Sequence, residues 1–221
     1  MCAVETGDDD AGGSAPCLMG AIGPDGSIVD PQQVRDVLRW RKVERERLLA
    51  ARRSLSAETR ARASAVVATA LDVLLAKHRP VIVSVYWPIR GEPDLRPWMH
   101  RCAERGTRVA LPVAVAHGRP LTFREWVPGA AMAHGLWRIP YPREGKEVIP
   151  SLVIAPLVGF DRQKYRLGYG GGFFDRTLAV LRPKPLVVGV GYTAAALMTI
   201  FPLPHDIAMD DIVTADPATL V

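Results

Sequence analysis

Three stretches of this chain are apolar almost without a break: "PVIVSVYWP" (80–88), "SLVIAPLVGF" (151–160) and "PLVVGV" (185–190). A strand with one wet face alternates apolar and polar side chains, whereas a strand covered on both faces does not. Runs of this kind demand a mostly parallel sheet with helices over both faces. The segments between them supply those helices. "QQVRDVLRWRKVERERLLAARRSL" (32–55) places Val34, Leu38, Val43 and Leu48 among many charges, which predicts an amphipathic helix with an arginine-rich face. "SLSAETRARASAVVATALDVLLAKH" (54–78) has Ser56 as an N-cap and apolar residues at 66, 67, 70, 71, 74 and 75. "EPDLRPWMHRCAERG" (92–106) predicts a helix closed by Gly106. Further strands are expected at 107–115, 120–127 and 211–216, and a helix over 173–181. The fold class expected is α/β: a three-layer α/β/α arrangement around a central, mostly parallel sheet, in a single domain.

Of 221 residues, 48% are hydrophobic, enough to bury one full core. Residues 1–30 hold Glu5, Asp8, Asp9, Asp10, Asp25 and Asp30 and no Lys or Arg, so they carry −6; a net charge of +5 leaves +11 on the remainder. The first 30 residues read as a disordered acidic, Gly-rich tail and 31–221 as the folded domain. No basic n-region precedes an apolar run, and Leu186 to His205, though uncharged, is broken by Gly and Pro into strand, short helix and loop. The expected location is the cytoplasm. Three widely spaced cysteines form neither a disulfide framework nor a zinc pattern. A metal, if used, would be a hard cation held by carboxylates.

The chemistry is carried by "YRLGYGGGFFDRTL" (165–178), four glycines between a strand and a helix. Converging backbone N–H groups and a helix N-terminus make such a loop an anion site, with Arg166 and Arg176 as flanking charges; the alternative is a plain turn before a helix. It is not a Walker A loop, since no Lys-Ser/Thr follows. "GVGYTA" (189–194) matches G-x-G-x-x-A, but only 27 residues follow it, too few for a dinucleotide half-domain.

The order R-x-G-x-G-x-G-aromatic-aromatic-D at Arg166, Gly168, Gly170, Gly172, Phe173, Phe174 and Asp175 resembles the signature of the 5-formyltetrahydrofolate cyclo-ligase family. "KVER…ARRSLS", "YWPIRGEPDL", "LVIAPLVGFD" and "PLPHDIAMDDIVT" resemble its other segments, in order, from about residue 42 to the C-terminus. Gly171 stands where many members carry lysine, Lys164 where a turn glycine is usual, and Phe173 and Phe174 where tyrosines are usual. The resemblance implies ATP- and Mg²⁺-dependent cyclisation of 5-formyltetrahydrofolate to 5,10-methenyltetrahydrofolate, with ADP and phosphate released. It implies Glu92 and Arg166 as catalytic residues. Lys42, Arg45, Arg166, Leu167, Gly168, Tyr169, Gly170, Gly171, Gly172, Phe173 and Phe174 would hold ATP. Trp87, Glu92, Tyr169, Gly170, Gly171, Gly172 and Phe173 would line the reduced-folate site, and Asp175 and Asp206 would hold Mg²⁺. Each has a plainer reading: Lys42 and Arg45 as a solvated helix face, Asp175 as a first-turn acid, Asp206 as a loop cap, Glu92 as a helix-start acid, Trp87 as core. The expected partner is a reduced folate, met by a monomer, with no membrane and no nucleic acid. Two other functions stay open: a catalytically silent folate binder, and non-specific nucleic-acid binding through Arg39, Arg41, Lys42, Arg45, Arg47, Arg52 and Arg53.

Overall fold

A computed structural model of the chain describes residues 30–216. The expected tail lies outside the described residues except for Asp30. The Asp30 side chain caps the first helix, α1 (Pro31–Ser54), by accepting from Gln32 N at 2.8 Å. Ser56 caps α2 (Ala57–His78) through Thr59 N at 3.0 Å. Then follow β1 (Ile82–Ser84), α3 (Arg96–Glu104), β2 (Arg108–Val113), β3 (Thr122–Trp126), β4 (Met132–His134), β5 (Pro140–Pro142), β6 (Leu152–Pro156), β7 (Gly159–Phe160), β8 (Arg166–Leu167), α4 (Phe173–Val180), β9 (Leu186–Tyr192) and β10 (Asp211–Ala215).

Six strands form one sheet in the order β10-β9-β6-β1-β2-β3. All neighbours are parallel except β2 and β3. The apolar runs explain this. On β6, Leu152 and Ile154 face α2 and α3 together with Val67, Leu71, Trp98 and Met99, while Val153 and Ala155 face the other way with Leu178 of α4. Helices therefore cover both faces, as expected. The Trp98 indole N–H donates to Asp72 Oδ1 at 2.8 Å and ties α3 to α2. Cys102 is buried between helix and sheet, where burial pushes its thiol up to about 11, so it is no nucleophile.

Three expectations change. The strand 151–160 stops at Pro156; Leu157 N still donates to Val190 O, but Val158 N turns to Leu167 O, and the chain leaves the sheet to form the β7–β8 hairpin. "EPDL" is not helical: α3 begins only at Arg96, with Pro97 in its first turn. On α1 the expected apolar stripe splits: Leu48 is buried, beside Leu49, Arg41 and Arg52, while Val43 and Leu38 are 60% and 49% exposed.

Gly189 and Gly191 belong to β9, not to a nucleotide loop. The Leu157 side chain lies across them, and a Cβ on Gly191 would sit 2.3 Å from Leu157 Cδ1. β1 has β2 on one side and β6 on the other, so the chain reverses its direction of sheet growth there. Ligands of open parallel sheets bind at the carboxyl ends of strands at such a reversal. By overpacking, Gly191→Ala should cost about 1–3 kcal/mol in urea unfolding. The same change made in a Leu157→Ala background should cost less than half as much, because the obstructing methyl is gone.

Candidate functional site

A cavity of about 490 Å³ opens at that reversal, between α1, the carboxyl ends of β1, β2 and β6, the β4–β5 hairpin and the glycine loop. Its volume is in the range of small-molecule sites.

One wall is the loop between β8 and α4. Gly170 and Gly172 take φ of +95° and +61°, which L side chains rarely adopt, and Gly172 forms the N-cap of α4. From α1, Arg45 Nε donates to Gly168 O at 2.7 Å and holds the loop in place. Burial and the neighbouring Arg41 charge lower the Arg45 pKa, so this guanidinium lies in a cation-rich corner. Arg166 is buried; its Nη2 donates to Asp175 Oδ2 at 2.9 Å, and its guanidinium lies 4.9 Å from the Phe174 ring centroid. Its Nε is buried without a protein partner, a donor left over beside the loop. Leu167 turns its side chain into the core beneath.

Gly171 has no room for a side chain here. A Cβ would meet the Phe173 ring at 2.8 Å, and that ring packs edge-on against Trp137 at 5.2 Å. Lys164 does not replace a loop cation: at φ +65° it points to β10, donating to Asp210 O at 2.6 Å. The charge nearest Gly171 is Arg176, whose Nη2 donates to Gly171 O on the side of α4.

The acids close this end. Asp206 accepts from Arg41 Nη2 at 2.5 Å and from Leu203 N at 2.6 Å. Asp175 accepts from Arg166 and from Ile207 N. Two carboxylates lining one cavity form a donor set that fits Mg²⁺, which keeps most of its waters and needs one or two protein carboxylates. The leftover Arg166 donor and the open glycine cradle fit phosphate oxygens.

The opposite wall holds Tyr86, Trp87, Ile89 and Glu92, from the segment after β1. Glu92 is 5% exposed. Its Oε1 accepts from Tyr169 OH at 2.6 Å and its Oε2 from Ile89 N at 2.8 Å. Burial raises its pKa to about 7 against the pull of these donors and of Arg52 and Arg90. It is thus no helix-start acid. Trp87 lines the cavity while also packing on the core.

Every residue assigned from the sequence lines this cavity except Lys42, which is exposed on α1; Arg41, one position earlier, is the residue that turns in. The stripe Arg41, Arg45, Leu48 and Arg52 follows helical spacing, but nothing local marks arginines as its inward members. Trp137 had none. It and Arg138 form the tip of the β4–β5 hairpin at φ +55° and +58°, a turn for which Asn-Gly is the usual sequence mark.

The family model for 5-formyltetrahydrofolate cyclo-ligases matches residues 37–215. The chain belongs to the 5-formyltetrahydrofolate cyclo-ligase family. This is a family of ATP-dependent ligases. The cyclo-ligase of Mycolicibacterium smegmatis is 35% identical over 140 residues, 60% of this chain and 72% of that protein. The Escherichia coli K12 cyclo-ligase is 35% identical over 102 residues, which span 43% of this chain and 56% of that protein. The Aquifex aeolicus 5,10-methenyltetrahydrofolate synthetase structure superposes with a TM-score of 0.69 at 30% identity, covering 79% of this chain and 89% of that one. The Mycoplasma pneumoniae synthetase shares the fold, with a TM-score of 0.65 at 21% identity over 78% of this chain and 96% of that one.

A carboxyl whose pKa rises on folding, as that of Glu92 does from 4.5 to about 7, favours the unfolded state as pH climbs between those values. The wild type should therefore lose stability from pH 5 to 7.5 relative to Glu92→Gln, by about 1–3 kcal/mol, read from denaturation midpoints across that range.

Proposed function

We propose that this cyclo-ligase family member converts 5-formyltetrahydrofolate and ATP to 5,10-methenyltetrahydrofolate, ADP and phosphate, with Mg²⁺, as a cytoplasmic monomer. The observation that carries the reading is the two-ended cavity. A cationic glycine cradle faces a buried acceptor beside an aromatic residue, within one pocket at the carboxyl ends of β1 and β6.

At the cradle, Arg45, Arg166 and the N–H groups of residues 168–172 hold the phosphates, with Arg41 orienting Asp206 rather than Lys42 reaching in. Asp175 and Asp206 would hold the metal, which would supply charge neutralisation. At the far end, Glu92 accepts hydrogen bonds from N–H groups of the pterin, Trp87 and Phe173 border its flat ring, and Trp137 shields the mouth. The residues between hold the formyl oxygen in line with the terminal phosphate. Phosphorylation turns that oxygen into a leaving group, N10 bonds to the formyl carbon and gives up its proton to the departing phosphate, and phosphate departs with the C–O bond electrons. Positioning and charge neutralisation are all this requires of the protein. Among the described residues no activated cysteine stands in the pocket, in keeping with that economy.

The nucleic-acid reading has fewer residues to rest on. Of its seven basic residues, Arg41 and Arg52 are buried and Arg45 is half-buried against the loop, while exposed Arg39 and Arg47 lie beside Asp36 and Glu44, leaving Lys42 and Arg53 as the exposed cations of the seven without an acidic partner on α1.

Purified protein given 5-formyltetrahydrofolate, Mg²⁺ and ATP should produce the methenyl chromophore with one ADP per turnover. Absent chromophore, or ADP formed without the folate, overturns the enzyme and leaves a silent binder. Asp175→Asn should weaken Mg²⁺-dependent nucleotide binding by about tenfold or more, 1.4 kcal/mol, in calorimetry; unchanged binding removes Asp175 as a ligand.

A further inference from the structure

Arg52 has no place in the chemistry above, yet it is a buried guanidinium, 4% exposed, with no carboxylate at salt-bridge distance among the described residues. Its Nη2 donates to Leu157 O at 2.5 Å and its Nη1 to Tyr169 OH at 3.0 Å. A guanidinium can only donate. The Tyr169 oxygen is therefore occupied as an acceptor on that side, and its own proton must point elsewhere. It points to Glu92 Oε1, 2.6 Å away. The chain of donation runs one way only, from Arg52 through Tyr169 to Glu92, and the Ile89 N–H donates to the other carboxylate oxygen. Both oxygens of Glu92 are thereby presented as acceptors.

We infer that Arg52 is a positioning residue: acting through the Tyr169 hydroxyl, it locks the Glu92 carboxylate as a hydrogen-bond acceptor and ties that acceptor to the glycine loop on which Tyr169 sits. The inference rests on the folate reading for what Glu92 accepts from, but the relay itself is a property of the free protein.

The other groups around Glu92 do not duplicate the relay. The Tyr86 hydroxyl donates to Pro93 O and the Tyr192 hydroxyl to Gly91 O, both at 2.9 Å. Arg90, in the same segment as Glu92, contributes charge from a position 5.4 Å from the centre of the Tyr169 ring. Burial and the nearby Glu92 push the Tyr169 phenol well up, so it stays a donor throughout the working pH range. Arg52 and Tyr169 favour ionised Glu92 while burial opposes it, so removing either should raise the pH at which Glu92 gains its proton.

The test compares wild type, Tyr169→Phe, Arg52→Met and Arg52→Lys. In the free proteins, carbon-13 titration of the Glu92 carboxyl should show a midpoint about one pH unit higher in Tyr169→Phe and Arg52→Met, a tenfold change in the proton equilibrium. Arg52→Lys, which keeps a donor and a charge, should recover at least half of it. In turnover, the acidic limb of kcat/KM should move in the same direction. The KM for 5-formyltetrahydrofolate should rise about tenfold. An unmoved Glu92 midpoint in Tyr169→Phe, which keeps the ring and its packing, overturns the relay, as does a lowered melting temperature with midpoint and KM unchanged. If wild type does not turn over the folate, the proposed reaction fails, and the titration of the free proteins still decides the relay.

Discussion

α1 is held to the body of the molecule by guanidinium groups whose hydrogen bonds end on backbone carbonyls of three separate segments. Arg41 reaches Ile200 and Phe201, Arg45 reaches Gly168, and Arg52 reaches Leu157. Hydrogen bonds to charged groups stabilise by about 1.5–3 kcal/mol each, and a buried cation left without them costs far more. This makes the docking specific: α1 seats only where all three sets of carbonyls are in place. Those segments are the loop before β10, which lines the cavity through His205 and Asp206, the glycine loop, which lines it directly, and the turn after β6 beneath them. Packing of one helix therefore sets the shape of the site.

The same arrangement sorts charge within the pocket. Arg41, Arg45 and Arg166 gather at the end where Asp175 and Asp206 lie, and each acid is already hydrogen-bonded to an arginine. At the other end the one buried acid, Glu92, faces phenols and a distant guanidinium instead of a direct ion pair. Burial then dominates and lifts its pKa to about 7. Two kinds of carboxylate thus coexist in one cavity, one kind fully paired and the other poised near neutrality. Tyr169 spans both ends, since its backbone belongs to the glycine loop and its hydroxyl to Glu92.

Much of this was legible along the chain. Doubly covered strands announce themselves by unbroken apolar runs: β1 and β6 fall within the runs read as buried strands, and β9 starts in the third and runs two residues past it to Tyr192. The glycine loop was legible because glycines with positive φ, a preceding strand and a following helix are local properties. Less visible were the short pairings. The β4–β5 hairpin uses Trp137 and Arg138 where turn chemistry favours Asn and Gly, and the strand through Pro156 ends because its next partner is Leu167 rather than a sheet neighbour. The segment 92–95 reads as the start of a helix, but Glu92 is drawn inward by Tyr169 and Ile89 and the helix is delayed to Arg96.

The inward face of α1 shows most plainly where the sequence stops. By periodicity, Val43 and Leu38 belong inside and the arginines outside, yet Arg41 and Arg52 are buried and Val43 faces solvent. An arginine is buried only where acceptors meet its guanidinium, and here those acceptors lie 105 to 165 positions further along the chain. The three-layer α/β architecture, the anion loop and the family can be read along the chain, because apolar runs, glycine positions and ordered motifs are written locally. Tertiary structure alone decided that Arg41 rather than Lys42 turns toward the site, that Trp137 stands at its mouth, and that Arg52 and Tyr169 hold Glu92. Each of those depends on where distant backbone carbonyls and carboxylates come to rest once the sheet has formed.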